Sequence, residues 1–415
     1  MLLHWLWLAT RPHLSDRIKA SLLQHFSDAE DIFYADPEAY SCLEGLSEEG
    51  LAGLQDKQLG QAQKILNECN RKHIHILTYR DAAYPSRLRN IADPPVVLYY
   101  KGRLPDFDSL PLIGVVGTRK ATPYGLTTAK RMGYQIAACG GTVVSGMAYG
   151  IDGMAMQGAL SAGGNVIGVL GCGADVVYPI SNRSLFADTE SHGCLLSEFA
   201  PGTEPFKWNF PKRNRIISGL CCGVLVIEAP EGSGALITAR QAAEQGRDVF
   251  AVPGNIDMPT CAGSNALLRD GAIMVGSGWD VMGEYQAQFP GIIHNRCKPG
   301  IQTAYPDEVE KAASDMEKPQ LQVAQKPKLF GRKSEKTKKE IDNTTSSQYI
   351  DAEKNRPPLT DAEAGILSLV ESGKTLVDDI MASTELSAGI VLATLTMLEV
   401  KGLLRRLPGK RVELK

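Results

Sequence analysis

The sequence predicts an α/β protein whose main domain is a doubly wound parallel sheet, with a small helical domain before it and a winged helix after it. Three features carry that expectation. From Pro111 onward, short apolar runs alternate with helical stretches: LIGVV (112–116), TVVSG (142–146), NVIGVLG (165–171), CLLSEF (194–199), GVLVIEA (223–229), DVFAVPG (248–254) and AIMVGS (272–277). These runs are nearly continuous rather than alternating, so they read as strands covered by helices on both faces. Ahead of them apolar residues fall at helical spacing. Behind them the chain ends in three helical stretches and GLLRRLPGKRVELK, where Pro408-Gly409 would turn between two short strands.

Residues 1–75 are expected to form the helical domain, with Ile18, Leu22, Leu23 and Phe26 on one face. Gly45 and Gly53 sit between short helical stretches, as in SAM or helix-hairpin-helix modules. No basic hairpin accompanies them, so a packing or partner role is expected ahead of direct DNA binding, which needs cations. The opening MLLHWLWLAT lacks a basic flank, carries His4 and runs straight into an amphipathic segment. It reads as a buried first helix rather than an export signal.

The sheet domain spans 76–286 and has a Rossmann-like pattern. Ligands of such sheets bind beyond the carboxyl ends of the strands, where the loops here are rich in glycine. From 287 to 358 the periodicity fades into Lys, Gln, Ser, Thr and Pro, and 325–342 holds seven cations against three acids. This reads as a flexible basic linker, expected to be solvated chain rather than the main site. Residues 359–415 follow the winged-helix order, yet the candidate recognition helix, 387–400, has no Lys or Arg, and 359–400 carry seven acids and one Lys. A protein-binding or autoregulatory wing is favoured over a sequence reader, although Arg405, Arg406, Lys410 and Arg411 lie where a wing meets a backbone.

The net charge of −3 and pI near 6.2 exclude a generally basic, histone-like protein, so any nucleic-acid contact must come from a local patch. Nine cysteines lack ligand spacing and read as buried thiols of a reducing cytosol. No run of about 18 apolar residues is present to span a membrane. A cytoplasmic protein without metal or cofactor is expected.

Two acid-free stretches supply the patch. From Pro205 to Ile227 the chain reads PFKWNFPKRNRIISGLCCGVLVI, joining cations for phosphates, aromatic faces for bases and amides for hydrogen bonds. From Ser109 to Ile151 it includes GVVGTRKATPYG, where Gly117-Thr118-Arg119 lies at a strand tip and Pro123 opens a helix. Turn amides, a helix N-terminus and the Arg119 fork suit phosphate oxygens. The loop Ser145 to Asp152 also holds two glycines. Gly171-Cys172-Gly173 is only a partial dinucleotide fingerprint, with Val176 at the third glycine position, and 231–238 (EGSGALIT) lacks the ending of a nucleoside-triphosphate loop. Catalytic groups are thin. Nothing brings His192 and Glu198 together, Asp152 reads as a helix-start carboxylate, and Lys207 serves a phosphate more simply than it serves as a base.

GVVGTRKATPYG, SGMAYGIDGMA, FPKRNRIISGL, EGSGALITARQA and GRDVFAVPGN closely resemble, in that order, the core of the DNA-processing protein A (DprA/Smf) family. The resemblance covers the sheet domain and extends to both flanking domains. It implies a recombination mediator that binds single-stranded DNA, loads RecA on strands covered by single-strand-binding protein and protects incoming DNA in natural transformation, without a chemical reaction of its own. The DNA pocket it implies comprises Gly117, Arg119, Lys207, Phe210, Arg213, Asn214 and Arg215, with Ser145 and Ser233 lining the same groove. Its homodimer would use Leu268 and Met274. The alternative is a nucleotide-acting enzyme similar to phosphoribohydrolases, but 230–241 (PEGSGALITARQ) has no Glu where that catalysis would need one.

Overall fold

The computed structural model describes residues 1–297 and, within 360–414, all but 373–375, 385, 387, 402 and 408–410. The chain divides into two compact units, Met1–Gln322 and Val323–Lys415.

The first unit begins with helices α1 (Leu2–Thr10), α2 (Asp16–His25), α3 (Ala29–Tyr34), α4 (Glu48–Gln55) and α5 (Gly60–Arg71). Helix starts follow their caps: the Ser15 side chain accepts from the Ile18 amide and Ser47 from Gly50. Trp5, Leu6, Trp7 and Leu8 of α1 are buried with Leu22, Ile32 and Leu54, so the apolar opening of the chain is core. That core continues into Val96, Val97 and Tyr99. The helical segment therefore packs on itself and shares that core with one edge of the sheet.

The sheet elements follow in chain order: β1 (His75–Thr78), α6 (Ser86–Arg89), β2 (Val97–Gly102), β3 (Leu112–Val116), α7 (Pro123–Ala138), β4 (Thr142–Ser145), α8 (Ile151–Ser161) and β5 (Val166–Leu170). They continue with α9 (Arg183–His192), β6 (Gly193–Ser197), α10 (Asn209–Leu220), β7 (Gly223–Val226), α11 (Gly234–Glu244), β8 (Asp248–Ala251), α12 (Ala262–Arg269), β9 (Ile273–Met274) and α13 (Gly278–Met282). The strand order is β1-β2-β6-β5-β4-β3-β7-β8-β9. Strands β3 to β9 are parallel, with Ile113 opposite Gly223 and Val116 opposite Val226. All seven apolar runs read from the sequence are strands, and the Rossmann-like sheet stands.

Two strands were not read. β1 and β2 form an antiparallel pair, Tyr99 facing Ile76, that extends the sheet from β6. A proline-containing connection hides their pairing. Within the sheet, Ile113 and Val115 pack on the α7/α8 side while Leu112 and Val116 pack on the α10/α11 side, as the period-two geometry of a strand requires. Burying such a side chain contributes roughly 1.5–3 kcal/mol.

The boundary expected at 287 falls short of the structure. Phe289 and Ile293 are buried in the α7-side core and the His294 amide donates to the Cys139 carbonyl, so apolar residues at the start of the presumed linker close the sheet domain. The rest of that stretch, 298–358, lies outside the described residues.

The second unit contains α14 (Asp361–Glu371), α15 (Val377–Ala382), α16 (Ala388–Val400), β10 (Leu404–Leu407) and β11 (Arg411–Leu414). Thr360 and Glu363 form a capping box, and the two strands pair antiparallel, Leu404 with Leu414. The winged-helix order is present. The expected Pro408-Gly409 turn, Lys410 and the Arg406 side chain lie outside the described residues.

Helices α7 and α8 cross in backbone contact. A Cβ on Gly133 would lie 2.0 Å from the Ala155 carbonyl oxygen, and one on Gly158 2.0 Å from that of Lys130. Gly133→Ala is expected to destabilise the protein by roughly 1–3 kcal/mol through overpacking, despite alanine's better helix propensity. Urea unfolding checks this; an unchanged midpoint would contradict the close crossing.

Candidate nucleic-acid interface

The strand order reverses at β3, which has β4 on one side and the returning β7 on the other. Loops diverge at such a point and leave a crevice beyond the carboxyl ends of the strands. Here it is a groove of about 610 Å³, walled by the turn after β3, the start of α8, the chain leading into α10 and the turn into α11.

The β3 turn is shaped by close contacts. A Cβ on Gly117 would meet the Ile151 side chain at 2.5 Å, and Gly150, at φ +76°, lies so near the Thr118 carbonyl that a Cβ would sit 2.4 Å from its oxygen. Beneath the turn, the buried Glu228 at the end of β7 accepts from the Thr122 amide at 2.9 Å, while its own carbonyl accepts from the Thr118 amide at 2.7 Å. The exposed Arg119 places its guanidinium 4.8 Å from the centroid of the Phe210 ring. A cation over an aromatic face is held without losing its charge. Phe210 is itself fixed, with Tyr178 5.6 Å away and Gly171 so close that a Cβ there would reach 2.9 Å from the ring.

Arg213 anchors the groove floor. It is 3% exposed, and its Nη1 donates to the carbonyls of Gly146, at 2.8 Å, and Val169. Burial lowers its pKa to about 10, which leaves it charged near neutrality, and Asp152 opposes that shift. Asp152 is buried too. Desolvation pushes its carboxyl up, while Arg213 and the amides of Gly146 and Ala148 pull it back in part. The expected helix-start role of Asp152 thus extends to a buried counter-charge. Asn214 donates to the Gly234 carbonyl at 3.3 Å, and Ser233 caps α11 through the Ala235 amide.

At the mouth, Lys207 is exposed between Phe206 and Trp208, whose rings stack at 4.7 Å and 8°. Trp208 is 71% exposed. Among the described residues no carboxylate forms an ion pair with Arg119 or Lys207. The groove therefore offers two cations without a carboxylate ion-pair partner and open aromatic surface.

Gly117, Arg119, Lys207, Phe210, Arg213, Asn214 and Ser233 all line this groove. Ser145 and Arg215 do not. Ser145 is fully buried at the end of β4 and donates to the Val115 carbonyl at 2.6 Å, its hydroxyl satisfied between strands. Arg215 follows Arg213 by two residues, about 200° around a helix, and so points from the rear of α10. There it meets Glu198 at 2.5 Å, Asp16 at 3.0 Å and Asp93 at 3.3 Å, while Lys212 meets Asp16 at 2.8 Å. Burial pushes Asp16 up, but Arg215, Lys212 and Lys19 outweigh it and hold that carboxyl below its usual value. Burial dominates at Glu198 and raises it. His192 takes no part, as its Nδ1 lies 3.0 Å from the Asp188 carbonyl oxygen.

Sequence reasoning missed Tyr178 and Tyr149, exposed on the groove flank, and Glu228 beneath the turn. A carboxylate ending an otherwise apolar strand was a signal for Glu228; nothing local marked the tyrosines. Leu268 is half-buried on α12, and Met274 is 68% exposed on the edge strand β9.

Fold and site together define a Rossmann-like domain with an anion-suited groove at its switch point, in a chain that also carries a winged helix. Residues 75–286 match the family model described as DNA recombination-mediator protein A, and 351–410 match the DprA winged helix domain. The chain is 34% identical over 407 residues to Protein Smf of Synechocystis sp., covering 94% of this chain and 93% of that one. It is 42% identical over 221 residues to DNA processing protein DprA of Bacillus subtilis, covering 53% of this chain and 74% of the relative. A solved structure of DNA processing protein A from Streptococcus pneumoniae matches with a TM-score of 0.59 and 33% identity, over 68% of this chain and 98% of the other. The chain belongs to the DprA/Smf family of DNA-processing proteins.

Removing the Arg213 guanidinium should damage the fold as well as the groove. Arg213→Met removes the cation that favours the charged Asp152 and leaves the Gly146 and Val169 carbonyls without this donor, an effect of about 1–3 kcal/mol for each buried acceptor left unsatisfied. Without Arg213 the Asp152 carboxyl rises further above its unfolded value, so the protonated form favours the fold and stability is lost as pH rises. Urea melts should show a larger deficit against wild type at pH 8 than at pH 5; an equal deficit would separate the two residues energetically.

Proposed function

We propose that this protein is a single-stranded DNA-binding recombination mediator. It would load RecA onto strands covered by single-strand-binding protein and protect incoming DNA during natural transformation. The observation that carries the reading is the groove itself: Arg119 and Lys207 stand uncompensated beside the exposed Phe206–Trp208 stack, over turn amides, with no paired acid and base for chemistry. Phosphates are held by Arg119, Lys207 and amides, with Arg213 shaping the floor. Bases stack on exposed aromatic faces at about 1–3 kcal/mol each. Family membership supports the mediator role, and the protein acts without a reaction of its own in the cytoplasm, where RecA works. Among the described residues no helix is long and apolar enough to cross a membrane.

A homodimer would join through α12 and β9, where Leu268 and the exposed Met274 lie at the open edge of the sheet. The winged helix would serve a protein contact: α16 exposes Ile390 and Met397 and carries no cation, unlike a helix built to read a major groove.

Fluorescence anisotropy with labelled poly-dT tests the reading. Wild type should prefer the single strand over a duplex competitor, and the Arg119→Ala/Lys207→Ala double variant should flatten the slope of log affinity against log salt by about 1.4, roughly 0.7 per phosphate contact. Unchanged binding would move the site off the groove, and hydrolysis of free nucleotides by wild type would support the phosphoribohydrolase-like alternative. Ile390→Asp/Met397→Asp is expected to leave poly-dT affinity unchanged in the same titration; a loss would bring α16 into the DNA site.

A further inference from the structure

We propose that Asp16, in the helical N-terminal segment, is a positioning residue for the groove, acting through Lys212 and Arg215 on the rear of α10; this rests on the single-strand reading above. Phe210, Arg213 and Asn214 face the groove from one side of the helix, while Lys212 and Arg215 leave it on the other. The rear cluster is balanced, with Asp16, Glu198 and Asp93 against Lys19, Lys212 and Arg215. Asp16 is the member that touches all three cations, at 3.8 Å from Lys19, 2.8 Å from Lys212 and 3.0 Å from Arg215.

Neutralising Asp16 takes one of three carboxylates from Arg215, whose side chain is 4% exposed, and leaves Lys19 with the Ala9 carbonyl, at a place where water cannot replace the lost charge. The buried Arg215, left with Glu198 and Asp93, regains its balance only by carrying α10 outward. That motion shifts Phe210 from Arg119 and loosens the 204–208 segment, whose side chains Phe206, Lys207 and Trp208 are exposed and which hangs on the first turn of α10 through Asn209. A binding site tolerates only about 0.5 Å of such drift before affinity falls.

The test is poly-dT anisotropy over a salt series with Asp16→Asn, Asp16→Glu and Gly133→Ala, at a temperature where each is folded. Asp16→Asn should weaken binding by roughly tenfold, as loss of a supporting contact does, with the salt slope unchanged because no phosphate contact is removed. Asp16→Glu should recover most of the affinity, and Gly133→Ala should lose stability without losing affinity. Wild-type affinity in Asp16→Asn overturns the inference. Should Asp16→Asn not fold, Lys212→Met gives the decision: weaker binding at constant slope supports positioning, whereas unchanged affinity, or a slope smaller by about 0.7 from a direct phosphate contact, overturns it. Failure of wild type to bind poly-dT sinks the functional reading itself and is thereby distinct from failure of this inference.

Discussion

The groove depends on one buried guanidinium. Arg213 reaches across the carboxyl ends of the strands to the Gly146 and Val169 carbonyls, so a single side chain joins α10 to the loop after β4 and to β5. A buried acceptor left unpaired costs free energy, and Arg213 gives both carbonyls a charged donor. Asp152 supplies the counter-charge at the start of α8. This arrangement, with Ile216, Ile217 and Leu220 in the core beneath the helix, sets the depth of α10 over the sheet and with it the place of the Phe210 platform for Arg119.

The cations around the groove are of two kinds. Those of α10 are met by carboxylates and carbonyls, which makes them structural. Off that helix, at the groove mouth, Lys207 and Arg119 have no carboxylate ion-pair partner among the described residues. Within the run KRNR two arginines two residues apart still have different tasks, Arg213 at the groove floor and Arg215 in the rear cluster.

The sheet was legible because buried parallel strands leave nearly continuous apolar runs, and the reversal of strand order follows from seven such runs separated by helices. Arg119, Lys207 and Phe210 were legible because cations and aromatics in acid-free stretches have few other uses. Arg215 was misplaced because composition carries no azimuth: only the rotation along α10, together with Asp16 nearly two hundred residues earlier in the chain, assigns it to the rear. Ser145 was misplaced because a serine ending a strand reads alike whether it faces a ligand or a neighbouring carbonyl. Tyr178 escaped because the chain brings it to the groove from beyond β5, with no local pattern.

On the single-strand reading proposed above, the same division of charge lets a chain of net charge −3 fit a polyanion. A groove whose uncompensated cations are few gains a modest, salt-sensitive attraction rather than the strong field of a wholly basic surface. Long-lived coverage of a strand then calls for several grooves acting together, because a second engagement on the same strand is intramolecular and multiplies affinity without new contacts. Few phosphate contacts per groove also leave each one free to open. On the proposed mediator reading, which needs a strand to be held and then yielded, many weak grooves suit the task better than one tight site.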